Sequence, residues 1–178
     1  FLTGLKLVEK RGELMAQARN GGMGAVIGLS ESVIAKVLAD NGLTSLDIAN
    51  FNSPTEIVVS GPVADIGKCG PLLEMAGARM FLPLQVSAAF HSRYMADAAQ
   101  AFGDFLAPFS FNAPKIPVLA NVTAQPYPTI NASQAVKDLL TRQITSSVQW
   151  VRSVRFMSAQ GVVEFKPTGP GTVLTGLI

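Results

Sequence analysis

Between residues 22 and 86 short apolar runs alternate with helical patterns in an order that few small folds accept. Gly24–Leu29 is strand-like, and Ser30 can cap a helix over Glu31–Asp40 that Asn41-Gly42 stops. Leu46–Asn50 and Glu56–Ser60 read as two more strands, joined through Phe51-Asn52-Ser53-Pro54. A second helix follows Gly61-Pro62 and ends near Gly77, and Met80–Val86 is a fourth strand. The resulting order, βαββαβ, is the split βαβ or ferredoxin-like arrangement. Gly70-Pro71 falls inside the second helix and predicts a kink or a division there. The run Gly21-Gly22-Met23-Gly24 lacks the spacing and the lysine of a phosphate loop, and reads as a flexible junction between domains.

The flanking segments follow a different rhythm. Residues 1–18 fit an amphipathic helix with Phe1, Leu5, Val8, Gly12 and Met15 along one face. After residue 91 a helix extends to about Ala107, with Met95, Ala98, Ala99, Phe102, Phe105 and Leu106 at helical spacing. A strand at Val118–Val122, helices over Ser133–Gln143 and Gln149–Gln160, and a strand at Val162–Phe165 come next; Gly169-Pro170-Gly171 then turns the chain into a further helix. Strands alternating with helices predict part of a parallel α/β layer. The division expected is residues 1–21 in a large α/β subdomain, 22–86 as the ferredoxin-like small subdomain, and 87–178 as the remainder of the large one. Phe1 lies inside a helical pattern and Val173-Leu174 opens an apolar stretch, so the sequence reads as an internal fragment.

Composition removes several classes of function. Fourteen Lys plus Arg stand against twelve Asp plus Glu with no block of like charge, so no nucleic-acid partner is expected. One histidine and one cysteine, Cys69, cannot make a standard zinc site or an internal disulfide, and the lone thiol fits a reducing, cytoplasmic compartment. No apolar run reaches the ~18 residues of a membrane span, so no membrane partner is expected, and the chain is expected as a monomer.

That single histidine is the natural candidate for general-base chemistry near neutral pH. His91 follows an apolar strand-like run and precedes a helix, where helix N–H groups and dipole would favour the neutral ring a base needs. The alternative is a histidine that merely begins a helix. Arg11 lies three residues after Val8 and four before Met15, at the edge of the apolar stripe. A guanidinium there wants an anion, and its planar fork suits a carboxylate. A structural ion pair, or a packed stem with the head in water, would satisfy it equally.

Taken together, five segments resemble the malonyl-CoA:acyl carrier protein transacylases and the acyltransferase domains of fatty acid and polyketide synthases, most of all the discrete, trans-acting acyltransferases. They are Arg11-Gly12-Glu13-Leu14-Met15; Asn50-Phe51-Asn52-Ser53-Pro54 with Ile57-Val58-Val59-Ser60-Gly61; Ala89-Phe90-His91-Ser92 with Met95; Arg142-Gln143 with Val148-Gln149-Trp150; and Gly169-Pro170-Gly171 with Val173-Leu174-Thr175-Gly176-Leu177. The resemblance implies an α/β-hydrolase-like large subdomain carrying an inserted ferredoxin-like one, with the active site in the cleft between them. It implies a nucleophilic serine on a Gly-His-Ser-Leu-Gly type elbow, which falls upstream of Phe1. It implies malonyl-CoA as substrate, the phosphopantetheine thiol of an acyl carrier protein as acceptor, and no bound cofactor.

By the same resemblance His91 is the catalytic base and Gln143 supplies the backbone carbonyl that orients it. Arg11 pairs with the free carboxylate of the malonyl group, while Met15, Asn50, Asn52 and Phe90 line the substrate site. Asn52 is the better candidate of the two asparagines, although Asn-Ser-Pro is a turn signal in its own right. Phe90 matches the bulky residue of malonyl-selecting members, where a ring would obstruct a 2-methyl branch. Glu56, and Lys166-Pro167-Thr168 before Gly169, depart from the family's pattern.

Two other readings use the same residues. A hydrolase that edits stalled acyl chains would put water in place of the thiol, and would gain nothing from a carboxylate clamp at Arg11. A ferredoxin-like binding module over 22–86 would need aromatic and basic residues interleaved on its strands for single-stranded RNA, which Phe51 and Phe81 do not supply.

Overall fold

The computed structural model describes residues 1–168 and 173–178. Helix α1 (Leu2–Met15) leads into strand β1 (Gly21–Ile27), helix α2 (Glu31–Asp40), strands β2 (Asp47–Ser53) and β3 (Glu56–Pro62), helix α3 (Val63–Met75) and strand β4 (Met80–Pro83). The four strands form one antiparallel sheet in the order β2-β3-β1-β4, with β1 central and paired from Gly21 opposite Pro62 to Ile27 opposite Glu56. Strand alternation sorts the side chains to two faces. Val26, Ile57 and Val59 meet Ile34, Leu38, Ile66, Cys69 and Leu73 of the two helices. Met23, Ala25, Ala49 and Val58 face the other way, where Leu84, Val86 and Phe90 cover them. The segment that leads to His91 therefore forms the second layer on this sheet.

Several sequence expectations change here. Residues 21–24 are not a flexible junction but the start of the central strand, buried from Gly22 onward. Glycine is required there by close approach: a Cβ on Gly21 would run into the backbone of Ala89, and one on Gly24 into the Phe81 ring. Helix α3 continues undivided through Pro71. Both Pro71 and Gly67, whose carbonyl loses its partner at the proline, are exposed, so water can take that bond. Strand β4 stops at Pro83, and Val86 serves as cover rather than as strand.

Beyond the sheet, α4 (Ala96–Leu106) packs on α1 and on α5 (Ala132–Arg142), and α6 (Trp150–Ala159) packs on β2. This second core holds Met15, Met95, Phe102, Leu106 and Ile144, with Leu7, Leu14 and Phe90 partly buried against it. The face α1 buries carries Leu7, Leu14 and Met15; of the expected stripe only Met15 is buried, while Phe1, Leu5 and Val8 are exposed at 98%, 51% and 71%. Helical spacing allows either face, and contact with α4 selects this one. Phe90 touches both cores and joins them.

The strand expected at Val118–Val122 shortens to β5 (Leu119–Ala120), paired antiparallel with β6 (Gln125–Pro126). Val162–Phe165 is not a strand; no ladder partners it among the described residues, and Val163 is 95% exposed. The turn at Gly169-Pro170-Gly171 lies outside the described residues. The architecture is mixed α/β.

Candidate active site

His91 occupies a turn in the irregular stretch between Pro83 and the 3-10 turn Arg93–Met95 that precedes α4. Its backbone is left-handed, with φ of 57°, a conformation that a non-glycine residue holds only where its surroundings fix it. The fixing groups are local. Ser92, 1% exposed, donates its hydroxyl to the Ala89 carbonyl at 2.5 Å and accepts the Tyr94 N–H at 3.3 Å. Ala88 and Ala89 before it are buried, Ala88 within the core that holds Met95 and Phe102.

The ring reaches across to the C-terminal end of α5. Since a carbonyl oxygen only accepts, His91 Nδ1 carries the proton and donates it to the Gln143 carbonyl at 2.9 Å. Nε2 then keeps its lone pair and can take a proton from a neighbouring group. Burial holds the imidazole below its ordinary pKa; the Gln143 carbonyl pulls it up, the Arg11 cation adds to the lowering, and the Ser146 backbone pulls up again. The expected preference for a neutral ring is present, but burial is its leading cause, since irregular chain rather than a direct strand-to-helix junction carries His91.

Arg11, on α1, is near enough for its charge to act on His91, although it does not line the open depression there. Burial lowers its pKa, its charge is felt at His91, and its Nε is buried without a hydrogen-bond partner among the described residues. A buried guanidinium nitrogen without an acceptor is costly, and an anion arriving with a ligand would satisfy it. Met15, one turn further along α1, is buried in the core that Phe90 also joins.

The asparagines stand differently. Asn50 is half-buried in β2, in a parallel bridge with Val148. Asn52 turns along the β2–β3 hairpin and donates its amide to Glu56 Oε1 at 3.0 Å. Neither lines the open depression of about 770 Å³ at His91, whose wall includes Asp47, Phe51, Arg93, Ser146 and Gln149. Sequence reasoning passed over Asp47, Arg93 and Ser146, because Asp47 and Arg93 lie 46 residues apart with no local signal linking them. Among the described residues no cluster of three metal-ligating side chains occurs and no helix is long and apolar enough to cross a membrane.

No family model matches the chain. Individual proteins do. It is 49% identical over 179 residues to the polyketide biosynthesis malonyl CoA-acyl carrier protein transacylase PksC of Bacillus subtilis, covering all of this chain and 61% of that protein. It superposes on the crystal structure of a malonyl CoA-acyl carrier protein transacylase from Burkholderia pseudomallei with a TM-score of 0.90 and 41% identity, over 99% of this chain and 61% of that one. A type II polyketide synthase acyl-carrier protein in complex with its malonyl-transacylase gives 0.91 and 33%, over 98% of this chain and 57% of that one. The chain thus spans about three fifths of the length of these relatives. By sequence and by backbone, this stretch of chain is similar to about three fifths of the malonyl CoA-acyl carrier protein transacylases just named.

Proposed function

We propose that these residues supply the base and the carboxylate clamp of an enzyme that moves a malonyl group from coenzyme A to the phosphopantetheine thiol of an acyl carrier protein. The observation that carries this reading is Arg11: a buried, unpartnered guanidinium nitrogen whose charge reaches His91. A malonyl thioester brings a free carboxylate to such a site, and an acetyl thioester does not.

The nucleophile is a serine of the family's elbow type, and no such elbow occurs in the 178 residues. In this reading His91 Nε2 takes the serine hydroxyl proton as the oxygen attacks the thioester carbonyl. The C–S bond breaks, and the proton passes from His91 to the departing coenzyme A sulfur. His91 next removes the proton of the phosphopantetheine thiol, whose sulfur attacks the acyl-serine; the ester C–O bond breaks and the serine regains a proton from His91. The Nδ1–H bond to Gln143 steadies each imidazolium that forms.

Phe90, packed against both cores, would in this reading restrict a 2-methyl branch, with Met15 contributing apolar surface. Asn50 is assigned to the polar rim; Asn52 would join it by exchanging its bond to Glu56. The sheet order fits a ferredoxin-like unit over 22–86 inserted between 1–21 and 87–178 of an α/β-hydrolase-like subdomain, in a cytoplasmic enzyme.

The test uses the protein that carries this chain together with a serine elbow of the family type. Incubated with malonyl-CoA it should gain one malonyl group by intact mass, lose it to a holo carrier protein, and gain little from acetyl-CoA. Hydrolysis of acyl thioesters without malonyl transfer would overturn the assignment in favour of an editing hydrolase.

A further inference from the structure

Two consecutive side chains that follow His91 reach back to the start of β2. The Arg93 backbone N–H donates to Asp47 Oδ2 at 2.9 Å, while Arg93 Nε lies 3.0 Å from both carboxylate oxygens and Nη2 closes on Oδ1. Tyr94 Oη donates to the Ser45 carbonyl at 2.9 Å. From the other flank, the segment after Gln143 is tied to the same strand. The Ser147 hydroxyl donates to the Ile48 carbonyl, Val148 N–H to Ala49 O at 2.8 Å, and Phe51 N–H to Val148 O at 2.9 Å. The two partners of the His91–Gln143 hydrogen bond, 52 residues apart in the chain, are thus anchored to residues 45–51.

An ion pair whose cation is 60% exposed adds little stability. Its value is directional, because a guanidinium fork and a backbone N–H on one carboxylate leave the turn a single orientation. We propose that Asp47 is a positioning residue for the base: through Arg93 it holds the left-handed His91 turn so that Nδ1 meets the Gln143 carbonyl and Nε2 is left free in the cleft. The role rests on reading His91 as the base, but the geometry it claims can be measured without turnover.

In ¹⁵N-imidazole spectra of the protein that carries this chain, the His91 signals are those that His91→Gln removes, the 178 residues holding no second histidine. In the unaltered protein at neutral pH, Nδ1 should resonate as a protonated nitrogen and Nε2 as an unprotonated one. Asp47→Ala should collapse that separation toward the tautomer mixture of a free imidazole, in which Nε2–H predominates. Asp47→Asn, whose amide oxygen can still accept the Arg93 N–H, should retain part of it. Arg93→Gln alters only an exposed side chain and should lose part of it while far-UV circular dichroism stays unchanged. An unchanged tautomer in folded Asp47→Ala would overturn the proposal; if that variant does not fold, an unchanged tautomer in Arg93→Gln would do so. Failure of malonyl transfer in the acylation assay leaves this result standing, so the two readings fail separately.

Discussion

His91 and Gln143 are joined by a side-chain nitrogen and a main-chain oxygen, Nδ1–H to carbonyl at 2.9 Å. Catalytic bases are often oriented by a carboxylate, which adds a charge to the site. A carbonyl orients the ring without one, and so leaves the Arg11 cation free of a competing anion at this position.

The partner being backbone, the amide of Gln143 is expendable. Gln143→Ala should leave the His91 tautomer and its titration where they are, and should shift unfolding by only ~0.5 kcal/mol, the range of substitutions away from buried networks. Parallel ¹⁵N spectra and urea unfolding curves check both. A collapse of the tautomer in this variant would mean that the side chain, not the carbonyl, orients the ring.

Protonation of His91 should occur below the ordinary imidazole value of about 6.5, because burial and the Arg11 cation oppose the charged form more than the Gln143 and Ser146 backbone favours it. The consequence for stability has a definite sign. Above about pH 6.5 the ring is neutral in both folded and unfolded chains and contributes nothing. As pH falls through that value the unfolded chain binds its proton first, so stability declines until the folded ring is protonated too. Thermal unfolding followed against pH should show this acid limb, and His91→Gln should flatten its histidine component.

Arg11→Met separates stability from specificity. Removing a buried guanidinium with an unsatisfied Nε should leave the melting temperature unchanged or raise it. It should also raise the His91 titration midpoint, since a like charge is withdrawn. Malonyl acylation should fall roughly 10- to 100-fold relative to acetyl, corresponding to the ~1.5–3 kcal/mol of hydrogen bonds to a charged group. Loss of stability with malonyl preference intact would identify Arg11 as a structural cation.

Which of these features can be read from sequence depends on how local their causes are. Helix α2 is bounded at Glu31 and Asp40 as read, with Ser30 extended at its start though its hydroxyl makes no cap bond, and Gly42 left-handed just past its end, because such signals act within a few residues. The strand order follows from element order and a short hairpin at Ser53–Glu56. The α1 face is not legible: Phe1, Leu5 and Val8 are as apolar as the residues that pack, and only contact with α4 selects Leu7 and Leu14. Within the site, His91 stands out as the one imidazole and Arg11 as a cation beside an apolar stripe that wants an anion, whereas Gln143 gains a role only through resemblance to a family. Asp47 and Arg93 gave no signal, since their pairing is produced by tertiary packing.

The glycines of β1 supply the sharpest contrast between flexibility and fit. Gly21 faces the Ala89 backbone two residues before His91, with no room for a methyl group, whereas a Cβ on Gly22 would meet Ile66 and Val63 at an ordinary 3.6 Å. Gly21→Ala should therefore cost about 1–3 kcal/mol, the usual penalty of overpacking, and should displace the turn that carries the base. Gly22→Ala, next along the strand and alike in intrinsic propensity, should be tolerated or slightly stabilising through its effect on the unfolded chain. Measured together by urea unfolding and His91 ¹⁵N spectra, the pair distinguishes two causes. If glycine serves as a hinge, both substitutions should impair function and neither should move the His91 tautomer. If close approach is the cause, Gly21→Ala alone should disturb the His91–Gln143 hydrogen bond, because the clash falls on the Ala88–Ala89 backbone two residues before His91.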